Sequence, residues 1–231
     1  MNKLIKIFAL LAACSPLANA YQISAIRSVG AVTIGLDMVH ENQTYQSNLP
    51  IYVVTHDKSS VSAVLPLDCG IFLSDNAAII VSDISIYKVG KNGSRALNCM
   101  WIELTRGDFA MCLPDETVAE TRIELQVRDV HIIVYSGTTF AILNDTIYVI
   151  RGKVRIGALT MTDRQITRVS NDGKLATPAD FNDLVMEAAT DACLARLTTP
   201  EGIARPTGDT ESTGVDFPKQ PINPEIVSPA S

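Results

Sequence analysis

From Ile23 to Val169 the chain reads as short extended runs, several of them with apolar side chains at every second position, separated by short polar clusters. The alternation is cleanest over Arg122-Ile123-Glu124-Leu125-Gln126-Val127-Arg128, where the intervening residues are charged or amide. Successive side chains of an extended chain point to opposite faces, so such a strand has one buried face and one wet face. The pattern repeats at Ile84 and Ile86, at Met100, Ile102 and Leu104, at Val130, Ile132 and Val134, and at Ile147 and Val149. Between these runs lie Ser74-Asp75-Asn76, Lys91-Asn92-Gly93, Asn144-Asp145 and Asn171-Asp172-Gly173, whose residues turn the backbone readily. Closely spaced strands with polar turns predict an all-β sandwich, barrel or roll over residues 21–170.

No segment before Thr177 repeats with helical spacing. Thr177 then offers a cap, Pro178 suits the first helical position and Asp180 the first turn, which predicts one helix over 177–197. Phe181, Leu184, Val185, Ala188, Cys193 and Leu197 form the stripe that would face the β domain. Residues 198–231 turn to Thr, Pro, Gly and Glu, with Pro200, Pro206, Pro218, Pro221, Pro224 and Pro229. Such a stretch buries too little apolar surface to fold, so it reads as a flexible tail or a short linear motif.

The amino terminus fixes the expected compartment. Lys3 and Lys6 precede the apolar run Ile7 to Ala13, and Ala18-Asn19-Ala20 supplies small residues for signal-peptidase cleavage, so 1–20 read as a signal peptide and Tyr21 as the first mature residue. The run is too short for a membrane span. Leu11-Ala12-Ala13-Cys14 also fits the site at which bacterial lipoproteins are cut, making a lipid anchor at Cys14 the alternative. Both readings export the chain, to the periplasm or medium in one case and to the outer membrane in the other.

Loss of Lys3 and Lys6 takes the basic residues from 19 to 17 against 25 acidic ones, a net charge of −8. That sign argues against nucleic acid or an anionic membrane as partner. Arg151, Lys153, Arg155, Arg164 and Arg168 form a local basic stretch, read as the solvated face of two strands.

Apart from Cys14 the chain has Cys69, Cys99, Cys112 and Cys193, an even set suited to disulfides in an oxidising compartment. Cys99 and Cys112 flank two short runs about a Thr105-Arg106-Gly107-Asp108 turn, which predicts a cross-strand bridge between them and leaves Cys69 and Cys193 paired or free. There is no Cys-x-x-Cys pair and no nearby His, so zinc is not expected, nor any other cofactor.

A second set of signals lies at Ser136-Gly137-Thr138-Thr139-Phe140, followed by a strand and Arg151-Gly152-Lys153-Val154. With Gly30-Ala31-Val32, Ile71-Phe72-Leu73-Ser74-Asp75-Asn76 and Ile102-Glu103-Leu104-Thr105-Arg106-Gly107, this order of motifs resembles the FecR domain of bacterial periplasmic regulatory and binding proteins, over about Val29 to Ile166. The resemblance implies a β-roll or solenoid-like stack of antiparallel sheets. It implies structural roles for Gly137, Thr138, Phe140, Gly152 and Val154. Gly137 and Gly152 would sit at bends, and Phe140 would fill the space between sheet layers. FecR-type regulators carry an anti-sigma segment and a membrane span ahead of this domain, where this sequence offers only a cleavable leader.

Catalytic patterns are absent. His40, His56 and His131 are isolated in sequence, and there is no Gly-x-Ser-x-Gly, phosphate loop or His-Glu-x-x-His. His56-Asp57 reads as a polar turn, His131 as a sheet histidine, Glu103 and Asp108 as an accidental carboxylate pair, and Arg106-Gly107-Asp108 as a structural turn. Asn42, Asn92 and Asn144 head glycosylation triplets expected to stay bare. The sequence thus predicts no enzyme. It predicts an exported scaffold or binding module whose partner is an envelope protein or a cell-wall glycan. A truncated sensor of an iron-uptake signalling system is the second reading, and an envelope hydrolase the third.

Overall fold

The structure, a computed structural model, describes residues 20–89, 95–115, 119–168 and 181–198. The leader with Cys14, the turns at 91–93 and 171–173, Thr177 to Asp180 and the tail beyond 198 lie outside the described residues. Within them the chain forms two β-sheets facing each other across one apolar core, with a single α-helix on the outside. The sheets do not close into a barrel.

The first sheet contains β1 (Tyr21–Val29), β4 (Gln43–Ser47), β6 (Ser60–Leu65), β7 (Cys69–Leu73), β10 (Phe109–Cys112), β13 (Thr139–Leu143), β14 (Thr146–Arg151) and β17 (Gln165–Arg168). The second contains β2 (Val32–Ile34), β3 (Asp37–Met38), β5 (Ile51–Thr55), β8 (Ala78–Val89), β9 (Arg95–Arg106), β11 (Ala119–Val127), β12 (Val130–Tyr135), β15 (Val154–Ile156) and β16 (Leu159–Met161). Their orders are β17-β14-β13-β10-β7-β6-β1-β4 and β16-β15-β12-β11-β9-β8-β5-β2-β3. The chain therefore passes back and forth between the sheets, laying down single strands or hairpins as it advances along the stack. This is the all-β roll that the alternation predicts.

Period-two alternation explains the core directly. Ile123, Leu125 and Val127 point inward while Arg122, Glu124 and Gln126 point out. Phe109 and Phe140 are fully buried from neighbouring strands and meet edge to face, centroids 6.0 Å apart. Val154 is buried in the same core.

The Gly137 and Gly152 corners are crossings from one sheet to the other. Their φ angles of 72° and 91° belong to the left-handed region, which side chains enter only with strain. The corners nest: the Thr138 hydroxyl, fully buried, donates to the Lys153 carbonyl and accepts from its N–H, both at 3.0 Å.

The bridge predicted between Cys99 and Cys112 is not formed. β9 and β10 do not make a hairpin, because Gly107, at φ 81°, turns the chain out of the second sheet and into the first. β9 pairs in parallel with β11 instead, while β10 lies between β7 and β13. Cys112 is bonded to Cys193, with Cα atoms 5.2 Å apart, and Cys69 and Cys99 are free and buried.

Cys193 lies on α1 (Asp183–Thr198), which crosses the outer face of the first sheet. Asn182 caps the helix, its side-chain oxygen accepting from the Val185 N–H at 2.9 Å. Val185, Ala188 and Ala192 pack on Ala110, Cys112 and Ala141, so small residues bring the helix close to the strands. The approach is closest at Gly70, where a Cβ would overlap the carbonyl oxygen of Ala192. Gly70→Ala is therefore expected to lift the helix and destabilise the domain by about 1–3 kcal/mol, the usual cost of overpacking. Urea unfolding of the oxidised protein measures it, and an unchanged midpoint would contradict this packing.

Candidate functional site

The two outer faces differ. That of the first sheet is sealed along β6, β7, β10 and β13 by α1, which is held by the Cys112–Cys193 bond and by Arg196. Arg196 donates from Nε to the Asp68 carbonyl at 2.8 Å and pairs through Nη2 with the Asp68 carboxylate at 3.1 Å. Leu67 and Asp68, at φ 64° and 57°, occupy a conformation costly for such residues, and the helix clamps it.

No helix or strand among the described residues covers the outer face of the second sheet across β9, β11 and β12. Here the parallel register sets Trp101 beside Glu124, and the antiparallel register sets Glu124 beside Ile133 and Gln126 beside His131. Glu124 is nine-tenths buried although its strand presents it to the outside. Two basic groups hold it: Arg122 Nη2 lies 2.6 Å from Oε1 and His131 Nε2 lies 2.8 Å from Oε2. Both carboxylate oxygens of Glu124 are thereby engaged, one from its own strand and one from β12. Trp101 stacks on the His131 ring, centroids 5.5 Å apart and planes within 10°, and stays 41% exposed. A flat aromatic surface is thus fixed in orientation by an ion-paired cluster beneath and beside it. Further along, Lys153 extends its ammonium over the Tyr135 ring, 5.0 Å from the centroid.

The residues singled out in the sequence fall elsewhere. Gly137, Thr138, Phe140, Gly152 and Val154 converge at the nested corners and the core beneath them. His56 and Asp57 are exposed in the turn between β5 and β6, where the His56 carbonyl accepts from the Ser59 and Asn76 N–H groups. Asp108 accepts from the Asn144 N–H at 2.8 Å, and Glu103 stands exposed on β9. Of the basic stretch, Arg151 pairs with Asp115 at 2.9 Å. Burial pushes the Cys99 thiol up from its ordinary pKa and the Cys69 thiol up much further, which keeps both protonated and weakly nucleophilic near neutrality. No group of His, Cys, Asp and Glu among the described residues could hold a metal ion. The Trp101 cluster escaped sequence reading because it depends on β9 and β11 lying side by side in parallel, whereas its one visible sign was the charged alternation Arg122-x-Glu124-x-Gln126.

No family model matches the chain, and no characterised protein matches it by sequence. Two crystal structures of a "putative anti-sigma factor" from Parabacteroides distasonis, at 1.65 and 2.50 Å, are similar with a TM-score of 0.36 and 13% identity. The match covers 54% of this chain and 57% of theirs. A likeness of that size carries no argument, and the fold stands on the strand pairing of this chain. No helix among the described residues is long and apolar enough to cross a membrane.

Proposed function

We propose that this chain is an exported, non-catalytic binding module of the bacterial cell envelope, a FecR-like roll that engages its partner through the open face of the second sheet. The observation that carries the reading is the asymmetry of the two outer faces. One is closed by a disulfide-anchored helix, while the other exposes Trp101 above the Arg122–Glu124–His131 cluster. A fixed aromatic surface surrounded by charged and amide groups suits recognition, since it contributes contact area without needing to be ordered on binding. The Cys112–Cys193 bond is compatible with an oxidising compartment outside the cytoplasm. The protonated state of both free thiols speaks against a cysteine nucleophile.

Site-specific photo-crosslinking in the native envelope tests this. A crosslinker at Glu103, exposed on the open face, is expected to capture an envelope component, and one at Thr190, exposed on α1, is expected to capture none. Capture from Thr190 alone would overturn the choice of face. Recovery of the chain from the cytoplasm with Lys3 and Lys6 still attached would overturn export.

A further inference from the structure

The geometry points to a linear acidic polysaccharide, a chain of sugar rings carrying carboxylates, as the ligand of the open face, lying across the strands from Trp101 to Arg155. This inference rests on the binding-module reading and gives its partner a chemistry.

Three features of the face argue for it together. First, Trp101, Glu124, Ile133 and Arg155 form one row through successive strand pairings, spanning three strand spacings or about 14 Å. Trp101 and Arg155 at its ends are exposed while Glu124 and Ile133 between them are buried, and groups standing that far apart suit an extended chain better than a small molecule. Second, Trp101 heads the row with its ring held by His131. The apolar C–H face of a pyranose stacks on such a ring, whereas a peptide strand would seek backbone groups at a sheet edge. Third, charge is distributed along the row. Arg122 is already engaged with Glu124, and Arg151 with Asp115. Lys153 and Arg155, at the far end on the outer face, have no carboxylate partner among the described residues, and both are exposed. Asp83 and Glu103 lie at the opposite side, on β8 and β9. A ligand stacked on Trp101 would therefore direct its negative groups toward β15. There the Arg155 guanidinium can grip a carboxylate with two parallel bonds, and the Lys153 ammonium, set above Tyr135, can meet a second.

Trp101 is the only tryptophan of the chain, so its fluorescence reports on this site alone. With the full oxidised protein, hexagalacturonate is expected to shift the emission saturably, and the neutral chain cellohexaose to bind at least tenfold more weakly. Raising the salt from low to physiological should weaken hexagalacturonate binding, since the ion pairs are exposed. Lys153→Gln with Arg155→Gln should weaken it at least tenfold and leave the unfolding curve unchanged. Trp101→Ala, followed by calorimetry, should do the same, and Trp101→Phe should retain most of the affinity. No saturable shift with hexagalacturonate, equal binding of cellohexaose, or indifference to the Lys153 and Arg155 changes would overturn the inference. So would tighter binding to phosphatidylglycerol vesicles or to soluble peptidoglycan fragments than to hexagalacturonate. Capture from Glu103 alongside a negative glycan result would sink the glycan alone, whereas failure of both would sink the binding module with it.

Discussion

Phe140→Ala is expected to lower the stability of the roll by about 3–5 kcal/mol, enough to unfold much of the population of a domain of ordinary stability. The ring is fully buried between the two sheets and leans on Phe109, so its removal opens a cavity that aliphatic neighbours held in paired strands cannot fill. Phe140→Leu, which keeps most of the volume, should recover more than half of the loss. Urea unfolding followed by far-UV circular dichroism measures both variants. A Phe140→Ala protein with an unchanged midpoint would mean that this ring is not in the core.

Loss of the Cys112–Cys193 bond is expected to be comparable in size and different in character. The bond closes a loop between residues 81 apart, for which chain entropy gives about 4–5 kcal/mol if the reduced chain unfolds freely. Cys193→Ser should therefore lower the unfolding midpoint sharply under oxidising conditions and make the protein insensitive to reductant. The roll should persist, because its core cluster contains no residue of α1, whereas amide exchange along Asp183–Thr198 should accelerate. Peptide mapping without reductant that found Cys112 joined to Cys99, or both Cys112 and Cys193 alkylated, would contradict this connectivity.

Strands were the most legible part of the sequence because burial on one face leaves a period-two trace in the residues themselves. Ile123, Leu125 and Val127 declare their orientation without reference to any neighbour. Which strand lies beside which leaves a weaker trace. Arg106-Gly107-Asp108 reads as a hairpin turn, yet the same residues serve a crossing between sheets, since both need a left-handed residue in a polar setting. That single ambiguity hid three things at once: the parallel pairing of β9 with β11, the separation of Cys99 from Cys112, and the Trp101 cluster. The helix stripe was only half right: Val185 and Ala188 face the sheet as expected, whereas Leu184 and Leu197 stand exposed and the small Ala192 and Ala195 take the inner face, because the close approach to the strands admits only small side chains. Cys193 could not be matched to Cys112 from spacing because the contact runs across the sheet surface. Gly70 gave no signal, its purpose being set by the Ala192 backbone above it.

The back-and-forth path of the chain has a mechanical corollary. Both sheets add strands in nearly the order of synthesis, so most contacts join segments that emerge close together in time, and the stack can grow from its first hairpins without waiting for the last. The exception is α1, which reaches back from the end of the described chain to β6, β7 and β10 in the middle. Until that helix arrives and its sulfur finds Cys112, Gly70 and Ala110 are left facing water on a bare sheet. Before the bond is complete the roll is thus already wound but still open along its back, and the final oxidation acts as the latch.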